Sequence, residues 1–287
     1  MIVSRIIPEM GLGNQLFVYA MSYALAQKKH MDFALDISDY KVNYRKGRRP
    51  LLTSFNISGM YLQSEKQWNK NFVNKVIIKI LKRIKLGIGY KRIKEKQEDF
   101  NTFHPEYFDV ESKKIYIEGY WQNYKYFQDY RDELKQEFRY IGKKSDTLLK
   151  LEQKIAMEES IAVHLRLGDY PEGWRLPEKY YTKAILNLSA KFPAATWYVF
   201  CEEPEAVKDK MEKCHLTASY IKEYGLSDIE EFVLMSKCKH FIIANSTYSW
   251  WAAWLGSDSG TCVIAPQKGQ WGSHFYPAEW ELIDCDK

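Results

Sequence analysis

Cysteine, metal-ligand clusters and long apolar runs are all in short supply in this chain of 287 residues. The five cysteines, Cys201, Cys214, Cys238, Cys262 and Cys285, are odd in number and form no C-x-x-C pair. That argues against a disulfide framework and a zinc ribbon, and suits a reducing compartment. The six histidines show no H-x-x-x-H spacing, and the one Asp-x-Asp, Asp284-Cys285-Asp286, stands at the end of the sequence, where a frayed tail is expected. No metal is expected in the chemistry. No Walker pattern occurs, so an ordinary phosphate-cradling P-loop is excluded. Met1-Ile-Val-Ser-Arg-Ile-Ile-Pro8 lacks the charged start, apolar run and small-residue cleavage site of a signal peptide. No apolar stretch approaches the roughly 18 to 20 residues that a membrane-crossing helix needs. A cytoplasmic location is expected.

What the chain does have is aromatic surface and enough apolar material for two modest cores. Hydrophobic residues make up 46% of the sequence, which makes two domains the better expectation than one. Nine Trp and twenty-one Tyr suit carbohydrate handling, because flat rings pack on sugar C–H faces while indole and phenol groups bond hydroxyls. Ordinary cores consume aromatics too. The net charge of +5 favours an anionic partner but is too small to name nucleic acid, and none is expected. Eleven Lys or Arg face one acid, Glu95, between Lys66 and Lys96. Within that stretch, residues 69–86 carry Val73, Val76, Ile77, Ile80, Leu81 and Ile84 at helical spacing. Such a helix either lies peripherally on the cytoplasmic face of an anionic membrane or packs by its stripe with solvated lysines outside.

Ile2 to Ile7 reads as a buried strand, followed by a glycine-containing loop and a helix from about Asn14 to Lys28. From about residue 150 strands and helices alternate. Strands are predicted at 160–166, 196–201, 240–244 and 261–265, and helices at 178–192, 227–238 and 249–255. Ser227-Asp-Ile-Glu230 is a capping box. This rhythm predicts an α/β chain with parallel sheet, whose ligands bind at the carboxyl ends of strands. Lys143-Lys-Ser-Asp146 marks the expected boundary between domains 1–145 and 146–287.

Three motifs follow strands. His164-Leu-Arg-Leu-Gly-Asp-Tyr170 ends one, with His164 and Arg166 on one face and Asp169 in the loop beyond. Arg166 is suited to clamp a diphosphate through bidentate, charge-assisted bonds, or else pairs with Asp169 to close the loop. Asn245-Ser-Thr-Tyr-Ser-Trp-Trp251 lies between a strand and a helix, where hydroxyls and free N–H groups make an anion site; an ordinary N-cap would need only one such residue. Gly11-Leu-Gly13-Asn14-Gln15 lets backbone approach a ligand, with Asn14 and Gln15 reading hydroxyls or capping the helix.

Together with Gly119-Tyr-Trp121-Gln122 and Tyr126-Phe127, these motifs resemble glycosyltransferase family 11, the bacterial α-1,2-fucosyltransferases, from near residue 8 to about Trp280. The resemblance implies a GT-B fold, two Rossmann-like domains facing a cleft, with an acceptor-side domain at 1–145 and GDP-β-L-fucose bound by 146–287. It implies inverting, metal-independent transfer of L-fucose to O2 of a galactose in an oligosaccharide acceptor, serving surface polysaccharide or O-antigen synthesis. Residue by residue, it implies that Arg166 holds the diphosphate and His164 shapes the donor pocket, with Gly168 and Tyr170 beside them. Asn245, Ser246, Thr247, Tyr248 and Ser249 would line the phosphate site, and Asn14 would sit near the reacting sugar. Asp169 is the candidate base, or the orienter of Arg166. Gly11, Gly13, Gln15, Trp121, Gln122 and Trp174 fall on the acceptor side. Leu167 stands where the family often has a second basic residue, and Cys201-Glu202-Glu203 where it tends to have Ser-Asp-Asp, which bears on guanine recognition. Rival readings are a GDP-fucose enzyme forming another linkage and a non-catalytic nucleotide-sugar or glycan-binding protein.

Overall fold

The computed structural model describes residues 1–41, 50–62, 89–96, 98, 100–166, 172–214, 216–267 and 273–285. The basic stripe expected at 69–86 lies outside the described residues, as do Gly168, Asp169 and Tyr170. The chain divides into two compact units, Met1–Ile141 and Gly142–Lys287.

The first unit is a parallel sheet of β1 (Ile2–Arg5), β2 (Phe33–Asp36), β3 (Met60–Leu62), β4 (Lys91–Lys94) and β5 (Ile115–Glu118), in the order β3-β2-β1-β5-β4. Helix α1 (Leu12–Lys29) follows β1, and a short α2 (Arg131–Glu137) comes after β5. From Leu16 to Ala26 every residue of α1 is buried, so the helix is a core element rather than a surface amphipath. It ends at His30 in the left-handed region, with Lys28 and Lys29 in its last turn, where the helix dipole favours cations. The helix starts two residues earlier than expected. Gly11 is its N-cap, with extended backbone, and Gly13 already lies within its first turn, so the expected glycine loop is the helix start.

The second unit opens with α3 (Asp146–Met157), capped by Ser145, whose hydroxyl accepts the Leu148 N–H at 3.1 Å. The Lys143–Asp146 stretch read as a boundary thus begins a helix. There follow β6 (Ser160–Leu165), α4 (Glu178–Lys191), β7 (Thr196–Cys201), α5 (Glu205–Lys213), β8 (Ala218–Tyr220), α6 (Asp228–Met235), β9 (His240–Ile242), α7 (Thr247–Gly256), β10 (Val263–Gln267) and β11 (Glu281–Asp284). All six strands are parallel, in the order β11-β10-β9-β6-β7-β8. Asp284, expected in a frayed tail, instead pairs with Gln267 as the last residue of the edge strand.

The core of this unit explains its regularity. Every residue of β6 is buried, as a central parallel strand covered on both faces requires. Tyr180, Ala184 and Leu188 repeat every four residues along α4 and pack with Ile161, Val163 and Val199. The Tyr180 hydroxyl, fully enclosed, donates to the Ile243 carbonyl at 2.6 Å, so its burial leaves no polar group unmatched. Ser227 and Glu230 form the reciprocal capping box expected at the start of α6.

Candidate active site

In each sheet one strand is flanked by neighbours whose connections run to opposite sides, and the crevice beyond such a reversal is where open α/β sheets hold ligands. In the second sheet that point falls between β6 and β9. The segments leaving their carboxyl ends are His164 to Arg166 and Ala244 to Ser249, which are two of the sequence motifs. The topology brings them together although some 80 residues separate them in the chain.

His164 is 6% exposed and its ring centroid lies 5.7 Å from that of Tyr248. Burial, assisted by the Arg166 charge, pushes its pKa down to about 3, so the imidazole is neutral at physiological pH. Its Nδ1 is buried with no hydrogen-bond partner among the described residues, a cost that a bound ligand could relieve. Two residues on, the Arg166 guanidinium is bonded to the Glu202 carboxylate at 2.5 Å. Among the described residues its carboxylate partner is thus the first Glu of Cys201-Glu202-Glu203, at the end of β7, while the alternative pairing with Asp169 lies outside them. Both partners are partly exposed, so water screens the pair and it stabilises the fold by at most about 1 kcal/mol.

Helix α7 begins at Thr247, two residues before the expected start, which turns the motif into a helix N-terminus. Ser246 is the N-cap and its hydroxyl accepts the Tyr248 N–H at 3.4 Å. The Asn245 side chain is 4% exposed and donates to the Trp174 carbonyl at 2.7 Å, tying the segment after β6 to the turn after β9. Tyr248 donates its phenol to the Asp228 carbonyl at 2.7 Å, fixing α7 to the start of α6. Ser249 departs from expectation. Its side chain is fully buried and its hydroxyl turns back to the Ala244 and Ser246 carbonyls, so it closes the turn and presents nothing to a ligand. Trp174, with 44% of its surface exposed, is open to contact.

The corresponding point of the first sheet lies between β1 and β5. Beyond β1 stands Asn14, in the first turn of α1; beyond β5 stands Gln122, whose Nε2 donates to Asn14 Oδ1 at 2.8 Å. Two other residues read as acceptor-side are internal. Gln15 is fully buried, donating through Nε2 to the Met10 carbonyl at 2.9 Å and accepting the Leu51 N–H through Oε1 at 2.9 Å. Trp121 is likewise fully buried, edge-on to Tyr107 with ring centroids 5.1 Å apart. Both belong to the packing. Glu202 enters the sequence reading only within a motif departure, and its pairing with Arg166, 36 residues away, has no local signal. No group of three or more His, Cys, Asp or Glu among the described residues is arranged to hold a metal ion. No helix among them is long and apolar enough to cross a membrane.

The model of glycosyl transferase family 11 matches residues 3–283. An Escherichia coli alpha-1,2-colitosyltransferase is 30% identical over 265 residues, covering 89% of this chain and 88% of its own. The Escherichia coli O-antigen biosynthesis glycosyltransferase WbnK is also 30% identical, over 90% of this chain and 92% of its own. Among solved structures, a variant of Arabidopsis thaliana FUT1 in complex with GDP superposes with a TM-score of 0.52 at 12% identity, covering 92% of this chain and 70% of that one. The glycosyl transferase family 9 protein of Veillonella parvula gives 0.50 at 10% identity, covering 99% and 86%. These likenesses and the two parallel sheets make the fold GT-B, with two Rossmann-like units.

Proposed function

This chain belongs to glycosyl transferase family 11, and on that premise we propose that it transfers L-fucose from GDP-β-L-fucose to O2 of a galactose residue, with inversion, in O-antigen or other surface polysaccharide synthesis. The observation that carries the reading is the meeting of Arg166 and the N-terminus of α7 at the reversal of the second sheet. Both supply positive potential to one place. The planar guanidinium suits a diphosphate, and the first-turn N–H groups of Thr247 and Tyr248, capped by Ser246, add the positive end of the helix dipole. The donor is assigned to residues 146–287 and the acceptor to 1–145.

Displacement at the anomeric carbon leaves negative charge on the departing GDP, so holding that charge is where these residues contribute most. Arg166 exchanges Glu202 for the diphosphate when donor binds. His164, neutral, borders the donor without adding charge, and its unmatched Nδ1 meets a polar atom of the nucleotide sugar. Asn14 meets the reacting sugar. Asp169 is the candidate base, and Gly168 and Tyr170 are assigned to the donor with it. Because the positive groups come from the protein, the reaction needs no divalent ion, and EDTA leaves the rate unchanged.

One observation favours a second donor. One of the two 30% identical relatives is named for colitose, which is L-fucose without the 3-hydroxyl, so a GDP-colitose donor suits the same proposed diphosphate site. A steady-state comparison of the two donors separates these readings. In the same assay Arg166→Ala, still folded by circular dichroism, loses about 10²-fold in kcat, as expected for removing a preorganised charge-stabilising donor. Near-normal turnover by that variant would contradict the assignment of the diphosphate site.

A further inference from the structure

The turn beyond β5 is built around one carboxylate. Glu95, directly after β4, is 9% exposed and accepts two backbone N–H groups, from Tyr120 at 2.6 Å and from Trp121 at 3.1 Å. Gly119 permits this approach, since a Cβ there would lie 2.5 Å from the Glu95 Cβ and 2.8 Å from its Oε2. Trp121 takes a φ of 56°, a left-handed conformation that costs an ordinary residue about 1–2 kcal/mol. The two charge-assisted bonds to Glu95 offset that strain. The far side of the turn is fixed as well. Asn123 donates its backbone N–H to the Trp121 carbonyl and its side chain to the Asn101 carbonyl, both at 2.8 Å.

Gln122 is held between these anchors. It is 5% exposed, its Nε2 donates to Asn14 Oδ1 at 2.8 Å, and its Oε1 has no partner among the described residues. A primary amide left to itself presents either its oxygen or its amino group. One whose oxygen is held by a buried donor has that oxygen fixed on the donor's side, which leaves its amino group on the other.

We infer that Gln122, held by Glu95 through the Tyr120–Trp121 backbone, is a positioning residue that locks the Asn14 amide so that it offers N–H and not oxygen to the reacting sugars. This rests on the proposed place of Asn14 at the reacting sugar. It specifies the role of Asn14 as a hydrogen-bond donor to an oxygen that gains negative charge during transfer, and excludes it as the acceptor of the attacking hydroxyl's proton. Glu95, remote in sequence and with no place in any recognised motif, becomes part of the machinery by holding Gln122.

The test is a double-mutant cycle in the full-length chain, read both as kcat with GDP-fucose and a β-galactoside and as thermal stability. Gln122→Met keeps the size and removes the hydrogen bond, and lowers kcat about three- to tenfold, the worth of one neutral hydrogen bond. Asn14→Ala lowers it at least as far, and adding Gln122→Met to Asn14→Ala produces no further loss, because the two act through one contact. Gln122→Glu, ionised and unable to donate, loses more than Gln122→Met since it turns the Asn14 amide over. Glu95→Gln lowers kcat in the same direction, and that effect also vanishes in the Asn14→Ala background. Multiplying losses, or a Gln122→Glu variant as active as the parent, would overturn the positioning role while leaving Asn14 in place. Coupling in stability together with parental turnover by Asn14→Ala would instead remove Asn14 from the reacting sugar, and the positioning role with it. Absence of coupling in stability would show that the contact itself is not made, whatever the sugar.

Discussion

At the scale of single residues, His164 makes the most direct claim about charge. Its folded pKa of about 3 lies far below the 6.5 of an open histidine. As pH falls through 6.5 the unfolded chain takes up a proton there that the folded chain refuses until about 3. Stability from this group is therefore constant above about pH 6.5 and declines as pH drops from there towards 3. In a histidine-selective NMR titration between pH 8 and 5, the imidazole signal that disappears in His164→Gln does not shift; a His164 resonance titrating near 6.5 would contradict the burial. Residue identity was a poorer guide to the acceptor side. Asn14 and Gln15 are adjacent amides with the same apparent chemistry, yet only Asn14 stays partly exposed, because successive residues of a helix point about 100° apart and Gln15 faces the core. Trp121 misled for a related reason, since aromatic rings serve cores and sugar sites equally.

At the scale of elements, the second unit was readable because its signals are local. A fully buried apolar run such as Ile161 to Leu165, a four-residue repeat such as Tyr180, Ala184 and Leu188, and the Ser227–Glu230 capping box each fix an element without knowledge of its neighbours. Strands β2 to β5 are three or four residues long, too brief for any period to show. The expected starts of α1 and α7 are each two residues late, because glycine and hydroxyl residues look like loop, whereas Gly11 and Ser246 are N-caps and the helices start directly after them. Helix α7 carries the turn proposed for the phosphate at one end and a slab of tryptophan at its centre. Trp250 is fully buried, its Nε1 donates to the Phe275 carbonyl at 3.2 Å, and its ring lies 5.6 Å from Trp280. Trp250→Ala costs about 3–5 kcal/mol through the cavity and the lost carbonyl partner. Denaturant unfolding that shows less than about 1 kcal/mol for this change would mean that α7 is not seated as described.

At the scale of the whole molecule, each sheet reverses its winding between two strands, and each reversal gathers two motifs that are distant in sequence. Asn14 meets Gln122 in the first unit, while His164 and Arg166 meet the 245–249 turn in the second. Parallel topology makes this legible in outline, since ligand-facing segments must follow the carboxyl ends of strands. Strand order was not legible, because it depends on which pairs of buried strands adjoin, and that information is spread over the full chain. The modest net charge of +5 agrees with the same picture, in which anion recognition depends on a few converging groups and not on a broad field.

The proposed chemistry stands or falls on GDP release from GDP-fucose by the purified protein, with and without a β-galactoside, in excess EDTA, followed by linkage analysis of the product. The proposed function requires release that depends on acceptor, proceeds unchanged in EDTA and yields an α-1,2-linked fucoside. Release abolished by EDTA, a product joined elsewhere than O2, or no turnover would contradict it.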